Sequence, residues 1–253
     1  MRIERKVGIT AAGLGALVIA MSGAAPAIAG SGPAAGFYHV AGTKFAPANA
    51  TSTGFGGWVF TPKGAKSVTA EYKVPTLKCK SAASGFGPLS AMVTGPSTAQ
   101  NFDAAGLLME CNGGSPAAAA LVVVDGTAKQ GTKPVAPGDL IQTTITTTAT
   151  TTTATTADLT KGHTFKLTLS GKGGAASEEL IVDDSLVSGT TQIPMANFGK
   201  LPFSKASVSG KAIGTVTPST KVNMQTKKGV LQILVGKITG TKKNTFLTTW
   251  KHS

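Results

Sequence analysis

Apolar residues in this chain come in short runs that alternate with polar ones. The stretch Ser67-Val68-Thr69-Ala70-Glu71-Tyr72-Lys73-Val74 sets four apolar side chains on one side, and Pro75 ends it. Residues 140–145, 164–169, 230–235 and 245–250 behave alike. A period of two belongs to strands with one buried face, whereas helices repeat every 3.6 residues. Gly, Pro and Thr-Lys punctuate the runs every 8 to 15 residues, the spacing of an antiparallel sandwich or barrel. No stretch shows a capped helical stripe. Ala117–Ala120 favours helix by propensity alone, and Leu121–Val124 after it reads as buried strand. Threonine fills 11 of the 14 positions in 143–156. Two edge strands with a Thr-rich turn fit that composition, and so does an O-glycosylated loop. The predicted fold class is all-β, a sandwich of two antiparallel sheets.

The first residues break this pattern. A basic head, Met1–Lys6, precedes a small-residue apolar run from Val7 to Ala25, and Ala27-Ile28-Ala29 supplies a small-x-small site. Residues 1–29 therefore read as a cleavable secretion signal. The alternative, a membrane anchor, is disfavoured by the glycines in the run and by the cleavage pattern that follows at once. Residues 30–53 are Gly/Ala/Pro-rich and nonperiodic, the mark of a flexible leader, and 54–253 form the expected sandwich domain. The predicted location is secreted, extracellular or cell-wall associated, with no stable membrane span.

Charge and cysteines refine that picture. The mature chain from Gly30 carries 21 basic residues, all lysine, against 10 acids, since Arg2 and Arg5 leave with the signal. Arginine reads guanine and phosphate bidentately and lysine does not, so no nucleic-acid partner is expected. Loose attraction to anionic cell-wall polymers is one reading of the lysine excess; solubility through net charge is the other. Cys79 and Cys111, an even pair in an oxidising destination, are predicted to bridge. His39, His163 and His252 show no ligand spacing, so no metal and no cofactor is expected.

Several fragments, in order, resemble the glutamic endopeptidases (eqolisins), and in particular their secreted bacterial relatives. They are Phe55-Gly56-Gly57-Trp58-Val59, the strand ending Val74-Pro75 with Cys79 beyond it, Cys111-Asn112-Gly113-Gly114-Ser115-Pro116, Pro137-Gly138-Asp139, Ser177–Asp183, Leu201-Pro202-Phe203 and Phe246–Trp250. The resemblance implies a lectin-like (concanavalin-type) sandwich with a groove that holds a glutamate and a glutamine. The glutamate would take a proton from water as general base. The uncharged glutamine amide would donate to the oxyanion of the tetrahedral intermediate.

By this resemblance Glu179 stands at the glutamate position, with a solvated acidic strand edge as the plain alternative. Glu179 and Asp183 share one strand face, and Glu178 and Asp184 the other. The glutamine position falls on Ala104, in Ala104-Ala105-Gly106. Gln100 lies four residues upstream, about 13 Å away along an extended strand. Aromatics expected in the groove are replaced by small or aliphatic residues at 90–93 and 118–123, leaving Phe55 and Trp58 as groove candidates or as core. Three functions follow. One is an inactive peptidase-like protein that binds peptides or acts at the surface. Another is a weak acid endopeptidase using Glu179. The third is a cell-wall or glycan-binding module.

Overall fold

The computed structural model describes residues 49–251, apart from 53–54, 61, 63, 80–84, 87–88, 99–100, 113, 125–126, 171–178, 185–186, 189–190, 193–195 and 227. The predicted signal and most of the predicted leader lie outside these residues. The strands run β1 (Asn49–Ser52), β2 (Phe55–Phe60), β3 (Ser67–Lys73), β4 (Gly85–Phe86), β5 (Leu89–Thr98), β6 (Asn101–Asn112) and β7 (Ser115–Val124). Next come β8 (Thr127–Pro134), β9 (Leu140–Thr147), β10 (Thr151–Asp158), β11 (His163–Ser170), β12 (Glu179–Asp184), β13 (Val187–Ser188) and β14 (Thr191–Gln192). β15 (Lys200–Val208), β16 (Lys211–Ala212), β17 (Ser219–Gln225), β18 (Leu231–Val235) and β19 (Phe246–Trp250) complete the set.

Pairing assembles two layers. The first sheet runs β1-β17-β2-β12-β5-β6-β7-β8, and the second runs β18-β19-β15-β3-β9-β10-β11. They join where β17 pairs with β18 across a register shift at Met224/Gln225. All main pairings are antiparallel except β1 with β17. The fold is the expected all-β sandwich. Its pattern starts earlier than the sequence suggests, because Asn49–Ser52, inside the segment read as leader, pairs with Lys221–Met224.

The core lies between the layers. Phe60, Ala105, Leu107, Met109 and Val122 from the first sheet meet Tyr72, Ile141, Ile145, Ala154 and Phe203 from the second. Pairs such as Phe203 and Phe246, stacked with ring centroids 4.7 Å apart, fill the space between strands. The Thr-rich segment forms β9 and β10, but neither is an edge strand: β9 lies between β3 and β10, and β10 between β9 and β11. Its threonines suit the interior because a hydroxyl can bond a backbone carbonyl there. Thr156 Oγ1 lies 3.2 Å from the Gly106 carbonyl and 3.0 Å from that of Leu121, tying one sheet to the other. Ala117–Ala120 belongs to β7 rather than to a helix, since its partners in β6 override propensity. Cys79 and Cys111 form the predicted disulfide.

Candidate functional site

The strands that carry the proposed peptidase positions are neighbours in the first sheet. β12 lies between β2 and β5, and β5 pairs with β6. One row across these strands reads Phe60, Glu179, Thr94 and Asp103. The next reads Val59, Leu180, Val93, Ala104 and Val123, and the one after it Trp58, Ile181, Met92, Ala105 and Val122. Residues within a row share a face, and successive rows alternate. Phe60, Ala105 and Val122 belong to the core between the sheets, which fixes the faces of the first and third rows.

Positions 179 and 104 thus fall on alternate rows. The positions opposite Glu179 are Phe60 and Thr94, and neither residue type carries an amide. By alternation Leu180, Val182 and Asp184 go with Ala104, and Glu179 and Asp183 go with Asn101, Asp103 and Ala105; no glutamine stands at any of these positions. Whichever position is the anchor, one face does not bring a Glu/Gln pair together. Ala104 is itself 2 % exposed, with Val93 and Val123 as its cross-strand partners; Val123 is buried too. Trp58 packs against the core, stacks on Phe60 at 6.4 Å and donates its Nε1–H to the Gly236 carbonyl at 3.2 Å. Phe55 pairs in register with Asp184 at the far end of β12.

A Glu–Gln contact that the sequence did not flag occurs in the second sheet. Glu71 and Gln142 are cross-strand partners in β3 and β9, and Gln142 Nε2 donates to Glu71 Oε1 at 2.9 Å. The pairing of β3 with β15 shifts register between Ser204 and Ser207, and Lys205 sits in this bulge at φ 47°. Its ammonium lies 3.2 Å from Oε1 and 3.1 Å from Oε2. The amide touches the carboxylate directly, leaving no place for a water between them, and the ammonium covers the remaining side. This cluster is a buried carboxylate met by an amide and by an exposed lysine, not a water-activating pair. Lys205→Ala is expected to destabilise the fold by about 1 to 2 kcal/mol, because Gln142 still bonds a carboxylate stripped of its counter-charge. Urea unfolding of the variant checks it, and a change below about 0.3 kcal/mol would contradict the role.

An apolar cavity of about 160 Å³ opens at the disulfide end of the sandwich. Leu77, Leu108, Met109 and Ala118 line it, and Gln130 and Lys133 supply polar groups. Leu108 lies on the same strand face as Ala104, four residues along β6. The loop 134–137 forms another wall, and Asp139 pins that loop. Asp139 Oδ2 accepts from the Ala136 amide at 2.7 Å and from Lys161 Nζ at 2.6 Å, while Lys161 also donates to the Pro134 carbonyl at 3.2 Å. Gly138, at φ 90°, makes the turn that brings Asp139 back beneath the loop.

Burial pushes the Asp139 carboxyl up. The hydrogen bonds from Lys161 and Ala136, the Lys161 charge and a hydrogen bond with Asp158 together outweigh it and hold the group below 3.8. A carboxylate with a depressed folded-state pKa contributes stability in full above its unfolded value and loses it as pH falls through the folded value. Wild-type stability should therefore decline from about pH 4 downward, and Asp139→Asn should flatten that decline. Thermal unfolding from pH 2 to 6 tests this, and identical slopes for both proteins would refute it. Among the described residues no cluster of three or more His, Cys, Asp or Glu could hold a metal ion.

Comparison with solved structures places this sandwich among the glutamic peptidases. Scytalido-glutamic peptidase bound to a peptide-based transition state analog superposes with a TM-score of 0.62 at 16 % identity, covering 80 % of this chain and all of that one. SCP-B, an eqolisin in complex with the tripeptide Ala-Ile-His, gives 0.59 at 17 %, with the same coverage. Aspergilloglutamic peptidase from Aspergillus niger gives 0.50 at 17 %, covering 74 % of this chain and 99 % of that one. At such identities the likeness is one of fold. The Peptidase A4 family model matches residues 53–245, nearly the whole of the described region, and the chain belongs to that family. No curated protein matches it.

Proposed function

We propose that this protein is an exported member of the Peptidase A4 family that has kept the sandwich and lost the catalytic pair, and that it acts as a peptide-binding or surface protein. The observation that carries this reading is Ala104. It stands where the resemblance calls for the oxyanion donor, and it is buried, with Val93 and Val123 as its cross-strand partners. Removal of one such donor lowers turnover by about a hundredfold to a thousandfold. The register adds support, since positions 179 and 104 fall on alternate rows and the positions opposite Glu179 are Phe60 and Thr94. A carboxylate at 179 can still accept a proton from water, but the alanine at 104 supplies no side-chain donor for the anion that forms. The cavity beside Leu108 offers an apolar peptide side chain a place to bury, and Lys133 at its wall can meet a terminal carboxylate.

Export rests on the signal-like residues 1–29 and the leader that follows, and the Cys79–Cys111 bridge agrees with an oxidising destination. The test is incubation of the mature protein with denatured protein substrate from pH 2 to 7. No cleavage is expected for the wild type, Glu179→Gln or Asp183→Asn. Cleavage by the wild type that either substitution abolishes would overturn the proposal and establish an acid endopeptidase instead. The register also predicts that Ala104→Gln alone creates no activity, because position 104 lies on the row alternate to 179.

A further inference from the structure

The acids and lysines of this chain are distributed unevenly. No Asp or Glu occurs after Asp184, yet ten lysines do. That acid-free segment builds β15 to β19, and its β15–β16 hairpin and β18–β19 connection gather at one end of the second sheet. Ser209 donates its amide to the Ser67 carbonyl at 2.7 Å and accepts the Lys66 amide on its hydroxyl at 2.8 Å. Lys211 pairs with Val208 across the β15–β16 hairpin. Ala206 donates to the Asn244 carbonyl at 2.9 Å, and Gly214 to that of Lys243 at 2.8 Å. Gly214 makes the last contact possible, since a Cβ there would come within 2.6 Å of the Lys243 Cβ.

These hydrogen bonds bring Lys66, Lys211, Lys242 and Lys243 to a common end of the sheet, and all four are exposed. The nearby buried acid, Glu71, is already engaged by Lys205. Among the described residues the four lysines have no acidic partner. Gathering like charges costs free energy unless a counter-charge arrives. Among the described residues the exposed large apolar ones, Leu159, Val230 and Leu234, lie in other segments, and none supplies this end with an apolar wedge for a lipid surface. Nor, among the described residues, does it expose a large aromatic on which a nucleobase could stack. Lysine ammonium groups act as point charges with three rotatable donors, which suits tetrahedral phosphate oxygens arriving in variable geometry.

We propose that the end of the second sheet bearing Lys66, Lys211, Lys242 and Lys243 is a docking surface for a linear phosphate polymer. Binding is electrostatic and releases counterions, so it weakens steeply with salt. The proposal is independent of whether the groove on the first sheet is active.

Equilibrium binding of long-chain inorganic polyphosphate to the mature protein tests it, with the quadruple variant Lys66→Gln, Lys211→Gln, Lys242→Gln and Lys243→Gln. A second quadruple variant, Lys73→Gln, Lys129→Gln, Lys166→Gln and Lys200→Gln, removes the same charge from exposed positions elsewhere. The first variant should bind about tenfold or more weakly at low salt, and the second no more than about threefold more weakly. Equal losses would reduce the effect to net charge and overturn the proposal. So would binding to anionic lipid vesicles without binding to polyphosphate, or no binding at all. Acetylation footprinting of the wild type gives a measurement that needs no variant: polyphosphate should shield these four lysines in preference to Lys73, Lys129, Lys166 and Lys200, and uniform shielding counts against the site.

Discussion

Replacing Phe203 with alanine is expected to destabilise the protein by about 3 to 5 kcal/mol, the largest single effect anticipated here. The ring is 2 % exposed and lies at the junction of three strands. It stacks on Phe246 of β19 at 4.7 Å and meets the edge of Tyr72 of β3 at 5.5 Å. Alanine would remove apolar area from the core and leave a cavity that two rigid neighbouring rings cannot collapse to fill. Phe203→Leu retains most of the volume and should cost clearly less. Guanidinium unfolding at neutral pH separates the two variants. A loss below about 1.5 kcal/mol for Phe203→Ala would mean that this ring triad is not the packing centre inferred here.

The second large effect concerns the Cys79–Cys111 bridge, whose partners lie 32 residues apart in sequence. Cross-linking a loop of that size restricts the unfolded chain, which corresponds to about 3 to 4 kcal/mol in the chain-entropy model. The double replacement of both cysteines by alanine should therefore lower the melting temperature by roughly 10 °C for a domain of this size. Reduction of the wild type should have a similar effect, since both treatments free the same loop. A double variant that melts within about 2 °C of the wild type would indicate that the unfolded loop is already restricted by other means. The bridge has a local consequence too. Cys111 ends the part of β6 that carries Leu108 and Met109, so losing it should loosen the cavity wall.

The two experiments probe different links between sequence and stability. Phe203 acts through contacts made only in the folded state, and Cys79–Cys111 chiefly through the unfolded one. Neither touches the question of catalysis, which rests on the row containing Ala104. If cleavage is absent while both variants still fold, the sandwich is stable without serving hydrolysis. A fold does not fix a function, so a sandwich can be retained while its role changes.

Much of the architecture was legible in the sequence because strand burial is a local signal. The alternation at 67–73 predicts which residues of β3 turn inward, and Val68, Ala70 and Tyr72 are indeed buried. β9, β11 and β19 follow the same logic, whereas in β18 Gln232 and Ile233 are both buried, and the paired cysteines needed only an even count and an oxidising destination. Threonine misled because its hydroxyl suits both an edge and an interior carbonyl, and only the neighbours of β10 decide between them. The Glu71–Gln142–Lys205 cluster joins residues 71 and 134 positions apart, so no window of sequence could display it.

What the chain determined by itself was its class: many short strands, one disulfide, an acid-free lysine-rich C-terminal region and an alanine at the expected glutamine position. Only the tertiary structure decided which strands neighbour one another, the row each candidate residue occupies, where the lysines gather and where a cavity opens. The physical reason is range. Alternation and turn residues act over a few positions, whereas register is set by contacts between strands far apart in the chain, and a slip of one residue turns every side chain to the other face.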